Sequence, residues 1–152
     1  MSKVITETLT AITEFLTQQF PESDVERDYK PNVTIDKVKP NDKPRILVSL
    51  YDRDIDKPTR SNEYDNIIVI DISIVKKINQ DTNKEIDPLV DLVGSVFETI
   101  YQNPVITHDG RQYRVALVEH DEWRQVCFEE FLQTNLFFGA MQVRIKATRR
   151  RN

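Results

Sequence analysis

From Asp65 to Ile78 the chain reads DNIIVIDISIVKKI, and an extended strand is the conformation that accounts for it. Successive side chains of a strand point to opposite faces, so Ile68, Ile70, Ile72 and Ile74 share one face. The other face carries Ile67, Val69, Asp71, Ser73, Val75 and Lys77, partly apolar and partly charged. A strand buried on one side only shows a cleaner polar outer face. The half-apolar second face therefore predicts a sheet that meets something further, either a helix or another copy of itself. No comparable concentration of catalytic residue types occurs elsewhere, and the sequence leans toward assembly rather than chemistry.

The 152 residues suit a single domain, long enough to bury a core without covalent staples. With 39% hydrophobic and 30% charged residues the composition is that of a soluble globular chain. Only 3 glycines occur, which leaves little material for phosphate-cradling loops. No apolar run approaches the ~20 residues of a membrane helix. The opening MSKVITETLTAITEF carries Glu7 and Glu14 and no apolar core, so it is not expected to act as a secretory leader. The single cysteine, Cys127, excludes an internal disulfide and fits a reducing compartment. A net charge of −4 gives no general drive toward nucleic acid.

Along the chain, Ile5, Leu9, Ile12, Leu16 and Phe20 recur at spacings of three and four and predict a helix over 2–19, closed by Pro21. A polar stretch from Val25 to Lys43 follows, with Val33, Ile35 and Val38 suggesting a short edge strand or extended arm. RILVSLY (45–51) reads as a strand with Ile46, Val48 and Leu50 on one face. DRDIDKPTRSNEY reads as a long charged hairpin loop joining it to the isoleucine strand. Asn79 to Glu85 is expected to turn. Asp87 then serves as N-cap and Pro88 as first residue of a second helix striped by Leu89, Leu92, Val93, Val96, Phe97, Ile100 and Tyr101, ended by Asn103-Pro104.

His108-Asp109-Gly110 is a turn signal before a strand over 113–118, and residues 121–134 read as either helix or strand. Leu136 to Thr148 is a final strand with Phe137, Met141, Val143, Ile145 and Ala147 toward the core. The predicted architecture is α+β: an antiparallel sheet of about four to five strands with two amphipathic helices on one face, in one domain. From Met141 onward there is no acid, and Arg144, Lys146, Arg149, Arg150 and Arg151 give a basic tail over 144–152. Such a tail binds an acidic surface or nucleic acid, or is merely a solvated end.

Several chemistries compete with plainer alternatives. His108, His120 and Cys127 match no zinc spacing, and Cys127 reads as a buried small hydrophobe rather than a nucleophile. Asp52, Asp54, Asp56, Asp65, Asp71 and Lys76 supply the residue types of a metal-dependent nuclease. Arg53 and Lys57 interleave with the aspartates, however, and mixed-sign hairpins more often recognise a charged partner. The pair His108-Asp109 resembles the metal phosphohydrolases only superficially. The expectation is a non-enzyme with no cofactor and no metal, and the nuclease is the alternative from another class.

Three stretches together resemble the tail terminator (tail completion) proteins of long-tailed bacteriophages. They are the N-terminal helix from Val4 to Phe20 with its proline-containing arm, the run RILVSLYDRDIDKPTRSNEYDNIIVIDISIV followed by DPLVDLVGSVFETIY, and the ending FEEFLQTNLFFGAMQVRIKATRR. The resemblance is one of layout, not of a specific motif. It implies a small α+β protomer forming a ring, usually of six, on the head-proximal end of the tail tube. The ring ends tube polymerisation and offers a surface to neck or head-completion proteins. DNA passes through its lumen without specific binding, no membrane is involved, and the protein resides in the virion after assembly in the host cytoplasm. Other neck and head–tail connector proteins share the general shape.

Under that resemblance, the hairpin residues Asp52, Arg53, Asp54, Asp56, Lys57, Arg60 and Glu63 contact the tube or a neighbouring subunit. Ile67, Val69, Phe138 and Ala140 form the subunit interface. Arg144, Lys146, Arg149, Arg150 and Arg151 contact a neighbouring acidic surface or the passing DNA, and protein contact is favoured because tight phosphate pairing would slow ejection. The alternative for the apolar outer positions is that the helices cover both sheet faces within one subunit.

Overall fold

The computed structural model describes residues 3–27, 43–55, 63–80, 82–115 and 124–150. In chain order the elements are α1 (Val4–Gln19), β1 (Asp24–Arg27), β2 (Arg45–Ile55), β3 (Glu63–Lys77), α2 (Asn83–Gln102), β4 (Val105–His108), β5 (Arg111–Val115), β6 (Arg124–Gln125), α3 (Glu129–Leu132) and β7 (Leu136–Arg150). The class is α+β, as the periodicities predict.

Among the described residues the sheet has seven strands rather than four or five, ordered β1-β2-β3-β7-β5-β4, with β6 also paired to β7. It is mixed rather than antiparallel, because β1 runs parallel to β2. Its antiparallel centre is β2-β3-β7, and β7 then meets β6 near its start and β5 near its end. The strands missed in the sequence, β1 and β4, hold 4 residues each, too few for alternation to register. The strand expected over 33–38 lies outside the described residues.

The isoleucine face is the core. Cross-strand rows such as Val48–Ile72–Met141 and Leu50–Ile70–Val143 bring apolar side chains from three strands together. Leu9, Ile12 and Leu16 of α1 and Leu89, Val93, Val96 and Ile100 of α2 join the same cluster. Both long helices therefore cover one face, and the alternative of one helix per face does not hold.

Helix α1 tolerates its many threonines because Thr8, Thr13 and Thr17 donate their hydroxyls to the carbonyls of Val4, Leu9 and Thr13, one turn back. Helix α2 begins earlier than expected. Thr82, not Asp87, is its N-cap, its carbonyl accepting the amides of Glu85 and Ile86, and Pro88 lies inside the helix. The proline costs only one hydrogen bond there, close to the end where amides are already unpaired.

The charged hairpin is also shorter than expected. Strand β2 continues to Ile55 and β3 starts at Glu63, so Asp52, Arg53, Asp54 and Glu63 belong to the ladder, with 56–62 outside the described residues. A bulge between Leu50 and Asp52 leaves Tyr51 unpaired in the register and 60% exposed. The basic segment is no tail either: β7 runs to Arg150, which pairs with Glu63. Residues 121–134 resolve the helix-or-strand ambiguity by using both, as β6 and the short α3, with 121–123 outside the described residues.

Candidate functional site

The second face of the sheet follows from the odd positions of β3. Along it the register stacks Leu47–Ser73–Ala140, then Ser49–Asp71–Gln142, then Val69 beside Arg144 and Ile67 beside Lys146. Near α3 this face is apolar: Leu47, Val75 and Leu136 are buried under Phe131 and Phe138. Phe128 and Phe131 stand 5.1 and 5.0 Å from the Phe138 ring. Midway it is polar, and toward the far end the rows Asp52–Val69–Arg144 and Asp54–Ile67–Lys146 each join an acidic and a basic position.

The four positions assigned to a subunit interface divide accordingly. Val69 and Ala140 are only 7% and 6% exposed within the protomer, so neither has area to offer a neighbour. Phe138 is half-buried because the α3 segment folds back over it. Ile67 is half-buried as well and sits toward the charged end, in register between Asp54 and Lys146. Gly139, on the helix face of the same strand, lies close under α2 and the Val126 carbonyl.

At the polar centre, burial pushes the Asp71 carboxyl above the usual carboxylate range, and a hydrogen bond from Gln142 partly offsets this. An acid whose folded pKa is raised loses stability as pH climbs from its unfolded value through the folded one. Asp71→Asn, which keeps the shape, is expected to raise Tm by a few degrees at pH 7 and to have no benefit near pH 3. Thermal melts of both proteins across that interval would check this, and equal pH profiles would refute it.

Asp71 and Lys76, considered together as nuclease residues, lie on opposite faces of β3, since their positions differ by an odd number. Among the described residues no three His, Cys, Asp or Glu side chains gather as a metal site. Cys127 is half-buried and packs on the core. His120, Asp56, Lys57, Arg60 and Arg151 lie outside the described residues. Among those described, no helix is long and apolar enough to cross a membrane.

A second region was not expected from the sequence. The turn Asp109-Gly110 has φ of 49° and 74°, the paired left-handed conformation that closes a tight hairpin, and it folds β4 and β5 against α1. The result is a cleft of about 360 Å³ lined by Thr6, Glu7, Thr10, Arg27, His108, Asp109, Arg111 and Tyr113. Arg111 Nη1 donates to Glu7 Oε2 at 2.6 Å, and Arg27 Nη1 donates to Thr10 Oγ1 at 2.6 Å. His108 places Nδ1 3.1 Å from Glu14 Oε2 and Nε2 3.4 Å from Asp109 Oδ2. Tyr113 is buried, its hydroxyl bonded to Arg111. Burial, with smaller contributions from the Glu7 and Asp109 charges, keeps the phenol above its ordinary pKa against the opposing effect of Arg111. These residues come from three separated segments, and no local spacing signals their meeting.

No protein-family model matches the chain, and no curated protein matches it.

Proposed function

We propose that the chain is a non-enzymatic ring protomer of the tail-terminator kind, which caps the head-proximal end of a phage tail tube and joins it to the neck. The observation that carries this reading is a mismatch of lengths. Helix α1 has 16 residues and spans about 24 Å, and α2 has 20 and spans about 30 Å. Strands β3 and β7 have 15 residues each, about 50 Å when extended. The row Ile55–Asn66–Ala147 still joins three strands and holds the buried Ala147; beyond it β3 and β7 continue as a pair to Glu63 and Arg150, about 10 Å past that core residue.

A two-stranded ribbon that runs past the described core is suited to reaching a neighbouring subunit or a tube. Positions on and leading up to it are of both signs: Asp52, Arg53 and Asp54 on β2, Glu63 on β3, and Arg149 and Arg150 on β7. Such alternation sets register and partner choice more than raw affinity. Arg144, Lys146 and Ile67 adjoin its base on the second face. The helix-covered face is the protomer's own core, so contacts with other chains fall to the ribbon and the sheet edges.

The test is light scattering on the purified chain, then electron microscopy after mixing with assembled tail tubes. A ring in solution, or a cap confined to one tube end, is the expected result. A monomer that leaves both tube ends bare would overturn the proposal. A ring that binds neck proteins but no tube would place the chain elsewhere among head–tail connectors.

A further inference from the structure

We infer that the cleft between α1 and the β4-β5 hairpin is a binding site for a small phosphomonoester, whose phosphate lies between Arg27 and Arg111. The inference is independent of the ring proposal, since it concerns a different face of the protomer.

The two guanidinium groups line the cleft from different strands, Arg27 from the end of β1 and Arg111 from the start of β5. Planar guanidinium groups match phosphate oxygens in pairs, and charge-assisted bonds of this kind are the strong ones. Thr10 on α1 holds the Arg27 guanidinium through its hydroxyl oxygen, while the neighbouring Thr6 hydroxyl is donated to the Lys3 carbonyl. Tyr113 adds a buried phenol that keeps its proton. The two guanidinium groups and the phenol are donors of the kind an oxyanion requires.

Glu7 shows where such an oxygen would sit. Its carboxylate is already held by Arg111 at 2.6 Å, so the guanidinium is oriented to grip an anion at that point. The pair is weakly held, because Arg111 is 39% and Glu7 43% exposed and exposed ion pairs contribute little. A dianion competes well against one screened carboxylate. The cleft volume exceeds that of phosphate alone and falls at the lower end of small-ligand pockets, which leaves room for the esterified group. Asp109 is no barrier, as its side chain is 90% exposed at the hairpin tip.

Glu7 therefore acts as a resident competitor, and that gives the proposal a signature that a nonspecific basic patch lacks. Titration calorimetry on the full chain, with inorganic phosphate and with glucose 6-phosphate as probes, is the experiment. Saturable binding is expected, tighter for the ester than for inorganic phosphate. Arg111→Gln should weaken it about tenfold, the scale of one charge-assisted hydrogen bond. Glu7→Gln should strengthen it severalfold, an outcome that misfolding cannot imitate. Absence of saturable binding, or equal affinity in wild type and Glu7→Gln, would overturn the inference. Displacement of the ester by a short DNA duplex at matched phosphate concentration would also overturn it, by showing a general polyanion surface.

Discussion

Gly139→Ala should destabilise the protein by about 3 kcal/mol, an overpacking penalty with no soft atom to absorb it. A Cβ at Gly139 would stand 2.5 Å from the Val126 carbonyl oxygen and 2.9 Å from Val93 Cγ2. The first is backbone, in the segment that leads from β6 to α3, and the second belongs to the buried stripe of α2. Relief requires moving the strap, the helix or β7 itself. Strand β7 is pinned by β3 along its whole length, so the strap and helix must give. In a chain of this size the loss corresponds to a fall of roughly 10 °C in Tm. Gly94→Ala is the matched control. A Cβ at Gly94 would meet nothing within 4 Å, and removing a glycine from a helix interior is stabilising by about 0.5–1 kcal/mol. Thermal melts of the two variants should therefore move in opposite directions, and a neutral Gly139→Ala would show that α2 and the strap are not held against β7.

Ile72→Ala should cost about 4 kcal/mol. Ile72 is fully buried at the middle of the middle row, with Val48 and Met141 as its cross-strand partners and both long helices in the same cluster. Truncation removes transfer energy and leaves a cavity that neighbours on three strands cannot close together. Against a total stability of about 5–15 kcal/mol this is a large fraction. Ile67→Ala, on the other face of the same strand, should cost about 1 kcal/mol or less because its side chain is only half-buried. Urea denaturation with an unchanged slope would give both values. Equal losses would contradict a core confined to the helix side.

These two sites also mark what was legible from residue order. The even isoleucines of β3, the odd apolar positions of β7 and the stripes of α1 and α2 all repeat long enough to declare both period and face. Strands β1 and β4 do not, since four residues show at most two on each face. Pro88 misled because a proline suits both the first helical position and a site one turn in; Thr82 decides between them through its carbonyl. The ladder beyond Tyr51 was hidden by charge: DRDID looks like loop, yet β3 supplies partners for Asp52 to Ile55 that hold an extended backbone regardless of side chain. Val69 and Ala140 looked available because alternation assigns a face, and it does not say what covers that face. The cleft was illegible for a different reason, as its walls meet only after the β4-β5 hairpin has folded onto α1.

Strand β7 follows every other element in chain order, yet it is the strand that links β3 to β5 and β6. Before it is placed, the sheet exists only as a β1-β2-β3 fragment and a separate β4-β5 hairpin, each with an edge awaiting a partner. The pairs it must form, Lys77 with Leu136 through Glu63 with Arg150, close loops that contain the whole of α2. Such topology is expected to make folding wait on a late, long-range step, and a chain still lacking β7 would carry a row of open hydrogen bonds along the isoleucine strand, the surface on which two such chains would join wrongly.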